Sequence, residues 1–162
     1  MLNIRAAERG DTTLILELIR GLAAYEKLSH EVVATPELLE KWLFGEKSVA
    51  EVLIAEWDGL PGGFALFFHN FSTFLGRPGF YLEDLYVQPE FRGRGIGKGL
   101  LLRLAQLAVE RGYGRVEWSV LDWNEPAIQF YKSLGAKPMD EWTLFRLTGD
   151  GLTAAGRGPG PT

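Results

Sequence analysis

The sequence predicts a mixed α/β fold, with helices on the faces of a single sheet. Short stretches with every second residue apolar and stretches of helical spacing follow one another in the order β-α-α-β-β-β-α-β-α-β. The 162 residues suit one domain with one packed core. Hydrophobic residues make up 46% and charged residues 23%, the balance of a globular chain rather than a disordered one.

The elements follow from local pattern. Leu2, Ile4 and Ala6 alternate with polar residues and predict a first strand. Asp11 is placed to cap a helix over about 12–25, where Leu14, Ile15, Leu18, Ile19 and Leu22 form one apolar stripe. Pro36 opens a second helix that runs to about Phe44. Val49 to Trp57 and Phe64 to His69 read as strands of a hairpin joined by the turn 58–63. Phe80 to Val87 is the next strand, and the glycine-rich segment 92–99 leads into a helix to about Arg111, with Gly112 as its stop. Val116 to Leu121 reads as a strand, Asn124 as the cap of a helix ending at Gly135, and Thr143 to Leu147 as the last strand. The expected domain is 1–148. Residues 149–162, rich in Gly, Pro, Ala and Thr, are expected to form a disordered tail.

Composition narrows the chemistry. There is no cysteine, which removes disulfides, thiolate metal sites and a Cys nucleophile. Two histidines cannot alone make a typical structural zinc site. No apolar run approaches the roughly 20 residues that span a bilayer, and the N-terminus lacks the basic and apolar regions of a signal peptide. A cytoplasmic location is the expectation. The net charge of −4 argues against a nucleic-acid partner and is compatible with a cationic substrate.

The glycine segment carries the first chemical signal. A strand, a glycine-rich turn and a helix N-terminus together present backbone N–H groups and partial positive charge to a phosphate. Arg92, Arg94 and Lys98 add full charges around the same turn. A P-loop would need a hydroxyl residue after Gly97-Lys98, where Gly99 stands. A dinucleotide fingerprint starting from Gly93, Gly95 or Gly97 would need a third glycine where Lys98, Leu100 or Leu102 stands. What does fit is Arg-x-x-Gly-x-Gly, as Arg92, Gly95 and Gly97. Taken alone, these residues also fit a Gly/Arg-rich surface turn equally well.

Two further patterns accompany it. Tyr81-Leu82-Glu83-Asp84-Leu85-Tyr86-Val87 sets two carboxylates in an apolar strand. Strict alternation would point Glu83 and Asp84 to opposite faces, and a buried carboxylate needs a partner. In Trp123-Asn124-Glu125-Pro126-Ala127-Ile128-Gln129-Phe130-Tyr131-Lys132, Asn124 and Tyr131 fall on nearly one helical face at about 100° per residue. Asn124 also reads as a plain N-cap, and Tyr131 as a core aromatic beside Ile128 and Leu134.

In order and spacing, these three pieces resemble the GNAT superfamily of N-acetyltransferases, and more narrowly its diamine acetyltransferase branch (spermidine/spermine and thialysine acetyltransferases). Ala24-Tyr25-Glu26 is a weaker match, and the resemblance runs from about residue 3 to 147. It implies the GNAT acyl-CoA N-acyltransferase fold and direct transfer of an acetyl group from acetyl-CoA to a small primary amine, without a metal. It implies main-chain contacts to the cofactor from Leu85, Tyr86 and Val87, and a pyrophosphate loop of Arg92, Gly93, Arg94, Gly95, Ile96, Gly97 and Lys98. Asn124, Glu125, Pro126 and Ala127 would contact the cofactor as well. Tyr131 matches the acid that protonates the departing thiolate, and Glu83 a position that meets the amine, where it could take the ammonium proton directly or through a water. Tyr25, Glu26, Glu117, Trp118 and Ser119 would line the acceptor cleft, and a homodimer is expected. One departure stands out. By alignment, Thr73 and Leu75 occupy the places of an Asp and a Trp in spermidine/spermine acetyltransferase, which removes an anchor for a long polyamine. A peptide N-terminus or lysine as acceptor, and a catalytically silent CoA-binding module, are the alternative readings.

Overall fold

In a computed structural model describing residues 1–158, five strands form one sheet in the order β1-β2-β3-β4-β5. They are β1 (Leu2–Ala6), β2 (Glu51–Trp57), β3 (Leu60–Ser72), β4 (Arg77–Val87) and β5 (Val116–Trp118). β1 to β4 are antiparallel neighbours, and β5 joins β4 in parallel. Asp58 and Gly59, both with positive φ, make the two-residue turn between β2 and β3. Both β3 and β4 extend beyond the expected limits, whereas β5 stops after three residues.

Helices α1 (Thr12–Tyr25) and α2 (Pro36–Phe44) cover one face. The stripe on α1 buries Ile15, Leu18 and Leu22 against Val52 and Ile54 of β2, Phe64 of β3 and Tyr86 of β4. Thr35 caps α2 by accepting a hydrogen bond from the Leu38 N–H, and Pro36 sits at the first helical turn. Helix α3 (Ile96–Glu110) lies on the opposite face, where Gly99 comes close to Leu2 and Ile4 of β1. It buries Ile96, Leu100, Leu101 and Leu104. Burying a side chain of this kind contributes roughly 1.5–3 kcal/mol, so these two faces hold the sheet between them.

Residues Met1–Leu121 form one compact unit and Asp122–Thr162 a second. The described part of the second contains α4 (Glu125–Ser133), capped by Asn124, and α5 (Gly149–Arg157). Two expectations are corrected here. No strand forms over 143–147, where Leu144 and Phe145 are exposed, because alternation can mark an extended segment but cannot supply it with a ladder partner. Residues 149–157, expected as part of an unstructured tail, are helical. Asp150 lies in the first turn, Arg157 in the last, and the Thr153 hydroxyl donates to the Gly149 carbonyl. The rest of the expected tail, 159–162, lies outside the described residues.

Gly21 shows how closely α1 seats on the sheet. A Cβ at this position would stand 2.7 Å from the Tyr86 hydroxyl and 2.9 Å from its Cε2. Alanine normally gains about 1 kcal/mol over glycine within a helix, but overpacking costs about 1–3 kcal/mol. Gly21→Ala is expected to lower the melting temperature by a few degrees, and to cost less when Tyr86 is already Phe. A single variant that melts at or above wild type would show that this contact is loose.

Candidate active site

The site begins with an irregularity in β4. Leu66 pairs with Asp84 and Phe67 with Leu82, so Glu83 is an extra residue with no partner on β3. Leu66 packs on the α1 face of the sheet, and Asp84 opposite it faces the same way. Phe67 and Leu82 point to the α3 face, which turns Glu83, one residue on, toward α1 as well. The bulge therefore brings both carboxylates to one face, contrary to the opposite faces that strict alternation predicts.

Glu26, immediately after the last residue of α1, lies near enough to join them electrostatically. The Asp84 carboxyl is pushed up from 3.8 to about 7, first by burial and then by the negative charges of Glu83 and Glu26. Burial alone raises the Glu26 carboxyl. An acidic cluster of this kind favours a cation or a shared proton.

The second feature is where β4 parts from its neighbour. Pairing with β5 covers only Phe80, Tyr81 and Leu82, although β4 continues to Val87. Among the described residues, one edge of β4 is unpaired beyond Leu82. The Gln88 N–H donates across to the Gly62 carbonyl of β3, at 2.8 Å. Antiparallel pairing alternates every second residue, so the main-chain groups of Tyr86 turn toward β3 and those of Leu85 and Val87 toward the open edge. At the fork, the Tyr81 hydroxyl meets the Ser119 hydroxyl at 2.7 Å. Trp118 is half-buried at the end of β5. Glu117 is already engaged, accepting from the Asn70 Nδ2 at 3.2 Å and pairing with Arg115 at 3.1 Å.

The third feature is the loop after β4. Gly93 and Gly95 have φ of 79° and 77°, a conformation that disfavours other residues. Gly95 is the N-cap of α3, and no side chain caps that helix. Its first-turn N–H groups and the exposed Arg92, Arg94 and Lys98 suit an anion. Ile96 is buried and anchors the turn to the core, and a side chain at Gly97 would meet only Val87, at 3.6 Å. The guanidinium of Arg94 lies over Trp57 at 5.3 Å and over Phe91 at 5.5 Å. That of Arg92 lies over Tyr25 at 4.9 Å and over Tyr86 at 5.8 Å.

In the second unit, Asn124 is buried and its side-chain oxygen accepts from the Ala127 N–H at 3.4 Å, as an N-cap. Pro126 stands in the first turn of α4, and Glu125 accepts from Gln129 at 2.6 Å. Tyr131 is half-buried on the same helix, its ring 5.5 Å from that of Phe130.

No group of three or more His, Cys, Asp or Glu side chains suited to a metal ion occurs among the described residues, nor any helix long and apolar enough to cross a membrane. A separate cavity of about 300 Å³, lined in part by Ile4, Leu43, Glu51, Phe67 and Arg103, holds none of the candidate residues.

An unpaired strand edge running into an uncapped, glycine-rich helix start defines a protein that can hold an extended ligand ending in phosphates. The model of the Acetyltransferase (GNAT) family matches residues 16–136, and the chain belongs to that family. Its enzymes use acetyl-CoA. The chain is 41% identical to the thialysine N-epsilon-acetyltransferase of Bos taurus, over 92% of this chain and 94% of that protein. It is 34% identical to an L-ornithine N5-acetyltransferase of Arabidopsis thaliana, over 93% and 86% respectively. Among solved structures, an integron cassette protein from the mobile metagenome of V. cholerae superposes with a TM-score of 0.79. It is 27% identical, over 94% of this chain and 95% of that one.

The sequence reading missed Asp84 as a site residue. Its signal was the pair of adjacent carboxylates in an apolar strand, but the reading did not anticipate the bulge. The folded Asp84 value exceeds the ordinary one, so the folded state holds the extra proton between about pH 4 and pH 7. Stability is therefore lost as pH rises through that window. Asp84→Asn removes the ionisation, and its melting temperature is expected to gain on wild type by about 5 °C between pH 5 and pH 8. A difference that does not change with pH would contradict the raised value.

Proposed function

We propose that this acetyltransferase acts on the primary amine of a small cationic acceptor, a thialysine-like amino acid or a short diamine. The observation that carries the reading is the cluster of carboxylates made by Glu83 and Asp84, on the strand that also offers an open edge, with Glu26 at the end of α1. The two curated relatives support it, since both are named for acetylation of a side-chain amine on a small basic amino acid. The β3–β4 loop gives no reason to extend the acceptor to spermine, because Thr73 and Leu75 are exposed there and no acidic residue stands between Asn70 and Arg77.

The open edge at Leu85 and Val87 would hold the pantetheine arm of acetyl-CoA, and the loop from Arg92 to Lys98 its pyrophosphate. Asn124 to Ala127 make the further contacts the resemblance assigns them. A backbone N–H at the open edge donates to the thioester carbonyl as negative charge develops on its oxygen.

A primary alkyl amine has a pKa near 10.4, so close to neutral pH only about one molecule in a thousand is a nucleophile. Recovering those three units is worth about 4 kcal/mol. Glu83 and Asp84 share the task of taking the ammonium proton. Asp84 titrates near neutrality, which suits proton transfer at working pH. Glu26 holds a second cationic group of the acceptor, and Tyr25, Trp118 and Ser119 line the cleft. Glu117 lines the same cleft, its Oε1 accepting from Asn70 and paired with Arg115. The nitrogen bonds to the acetyl carbonyl carbon, the carbon–sulfur bond breaks, Tyr131 gives its proton to the departing thiolate, and the second proton that the nitrogen loses restores the Tyr131 phenol. With no cysteine in the chain, transfer is direct, in a ternary complex. A homodimer rests on the family resemblance alone, and a cytoplasmic location on the composition of the sequence.

CoA thiol release measured with acetyl-CoA against thialysine, ornithine, putrescine, spermine and a lysine peptide tests the acceptor class. Turnover is expected to be strongest with thialysine, ornithine or putrescine; a preference for spermine or the peptide would overturn that part. Tyr131→Phe is expected to cut kcat about 100-fold with CoA affinity unchanged. Unchanged turnover would remove Tyr131 from the mechanism.

A further inference from the structure

We infer that Tyr25, which the resemblance places on the acceptor side, is a positioning residue for the donor side. It fixes the Arg92 guanidinium so that its outer N–H groups face a phosphate. The inference rests on the acetyl-CoA reading above and deepens it.

The geometry is specific to these residues. Arg92 is exposed on the glycine loop and carries a flexible side chain that would otherwise sample many rotamers. Three contacts restrict it. Its Nε donates to the Val87 carbonyl at 3.0 Å, on the open edge of β4. Its Cζ lies 4.9 Å from the centroid of the Tyr25 ring and 5.8 Å from that of the buried Tyr86. A guanidinium is planar, so stacking uses its faces and leaves its in-plane N–H donors for other partners. With Nε committed, the two terminal nitrogens have no protein partner among the described residues. They form the fork that pairs with two phosphate oxygens.

The helix that carries the Tyr25 ring is closely seated on the sheet. Tyr25 is the last residue of α1, and α1 is seated by the close approach of Gly21 to Tyr86. Tyr86, the second aromatic beside Arg92, thus also sets the position of the helix that carries the first. The next residue is Glu26, whose charge reaches Asp84. The end of α1 therefore carries the platform for the donor's phosphates on one residue and an acceptor carboxylate on the next. The phosphate clamp is distributed over the loop and α1, which are distant in sequence. Lysine in place of Arg92 would keep the charge and lose the flat surface that Tyr25 holds.

A double-mutant cycle on CoA affinity, measured by calorimetry on the full chain, tests this. Tyr25→Leu is expected to weaken CoA binding about fivefold, the range of a partly exposed cation–π contact plus lost positioning. Tyr25→Phe keeps the ring and is expected to bind CoA within about twofold of wild type. In an Arg92→Lys background, Tyr25→Leu is expected to add less than a further twofold, because the contact it removes is already gone. A Tyr25→Leu variant that binds CoA like wild type, or losses that multiply fully in the double variant, would overturn the assignment while leaving the acetyltransferase reading standing. Failure of folded wild-type protein to bind CoA would overturn both.

Discussion

The single extra residue in β4 organises the rest of the site. A strand pairing one-for-one with β3 would send Glu83 and Asp84 to opposite faces, and one of them would point into the apolar packing under α3. The bulge puts both on the α1 face, where Glu26 stands, and burial there raises Asp84 to about 7. It occurs where β5 ceases to pair with β4, so the carboxylates and the open backbone edge lie in adjacent residues. The bulge thus sets the carboxylates beside the open edge, where the proposed reading puts the amine and the donor. Bulges re-aim side chains in this way at the cost of ladder hydrogen bonds.

The loop that follows depends on the same strand. Val87 ends β4 and gives its carbonyl to Arg92, while the positive φ at Gly93 and Gly95 turns the chain sharply into α3. Ile96 sinks into the core and fixes the first turn of that helix. The charges around the loop are not loose. Arg92 rests on Tyr25 and Tyr86, and Arg94 on Trp57 and Phe91. Stacked guanidinium groups lose less entropy on meeting an anion than unrestrained ones would.

Much of this was legible in the sequence because it rests on local rules. The glycines at 93 and 95, the Asn124 cap, Pro36 at the start of α2 and the apolar stripe of α1 each follow from backbone or periodicity constraints that act within a few residues. The features that escaped depend on pairing partners. Alternation within β4 says nothing of the register with β3, so it predicts opposite faces for Glu83 and Asp84 where the bulge gives one. Residues 143–147 show strand spacing but take no ladder partner, and glycines in 149–157 suggested a tail where a helix forms. The contact of Arg92 with Tyr25 joins a loop to a distant helix end, and neither residue type announces it. The contact of the Glu117 Oε1 with Asn70 also escaped, because the two residues are distant in sequence.

The most direct measurement is amide hydrogen exchange along β4 with and without CoA. If the unpaired edge is where the donor lies, the Leu85 and Val87 amides are expected to gain protection when CoA binds. Gln88, already donating to Gly62, should change little. Saturating CoA that protects the loop from Arg92 to Lys98 but leaves Leu85 and Val87 unchanged would contradict the account, because the open edge would then have no part in holding the donor.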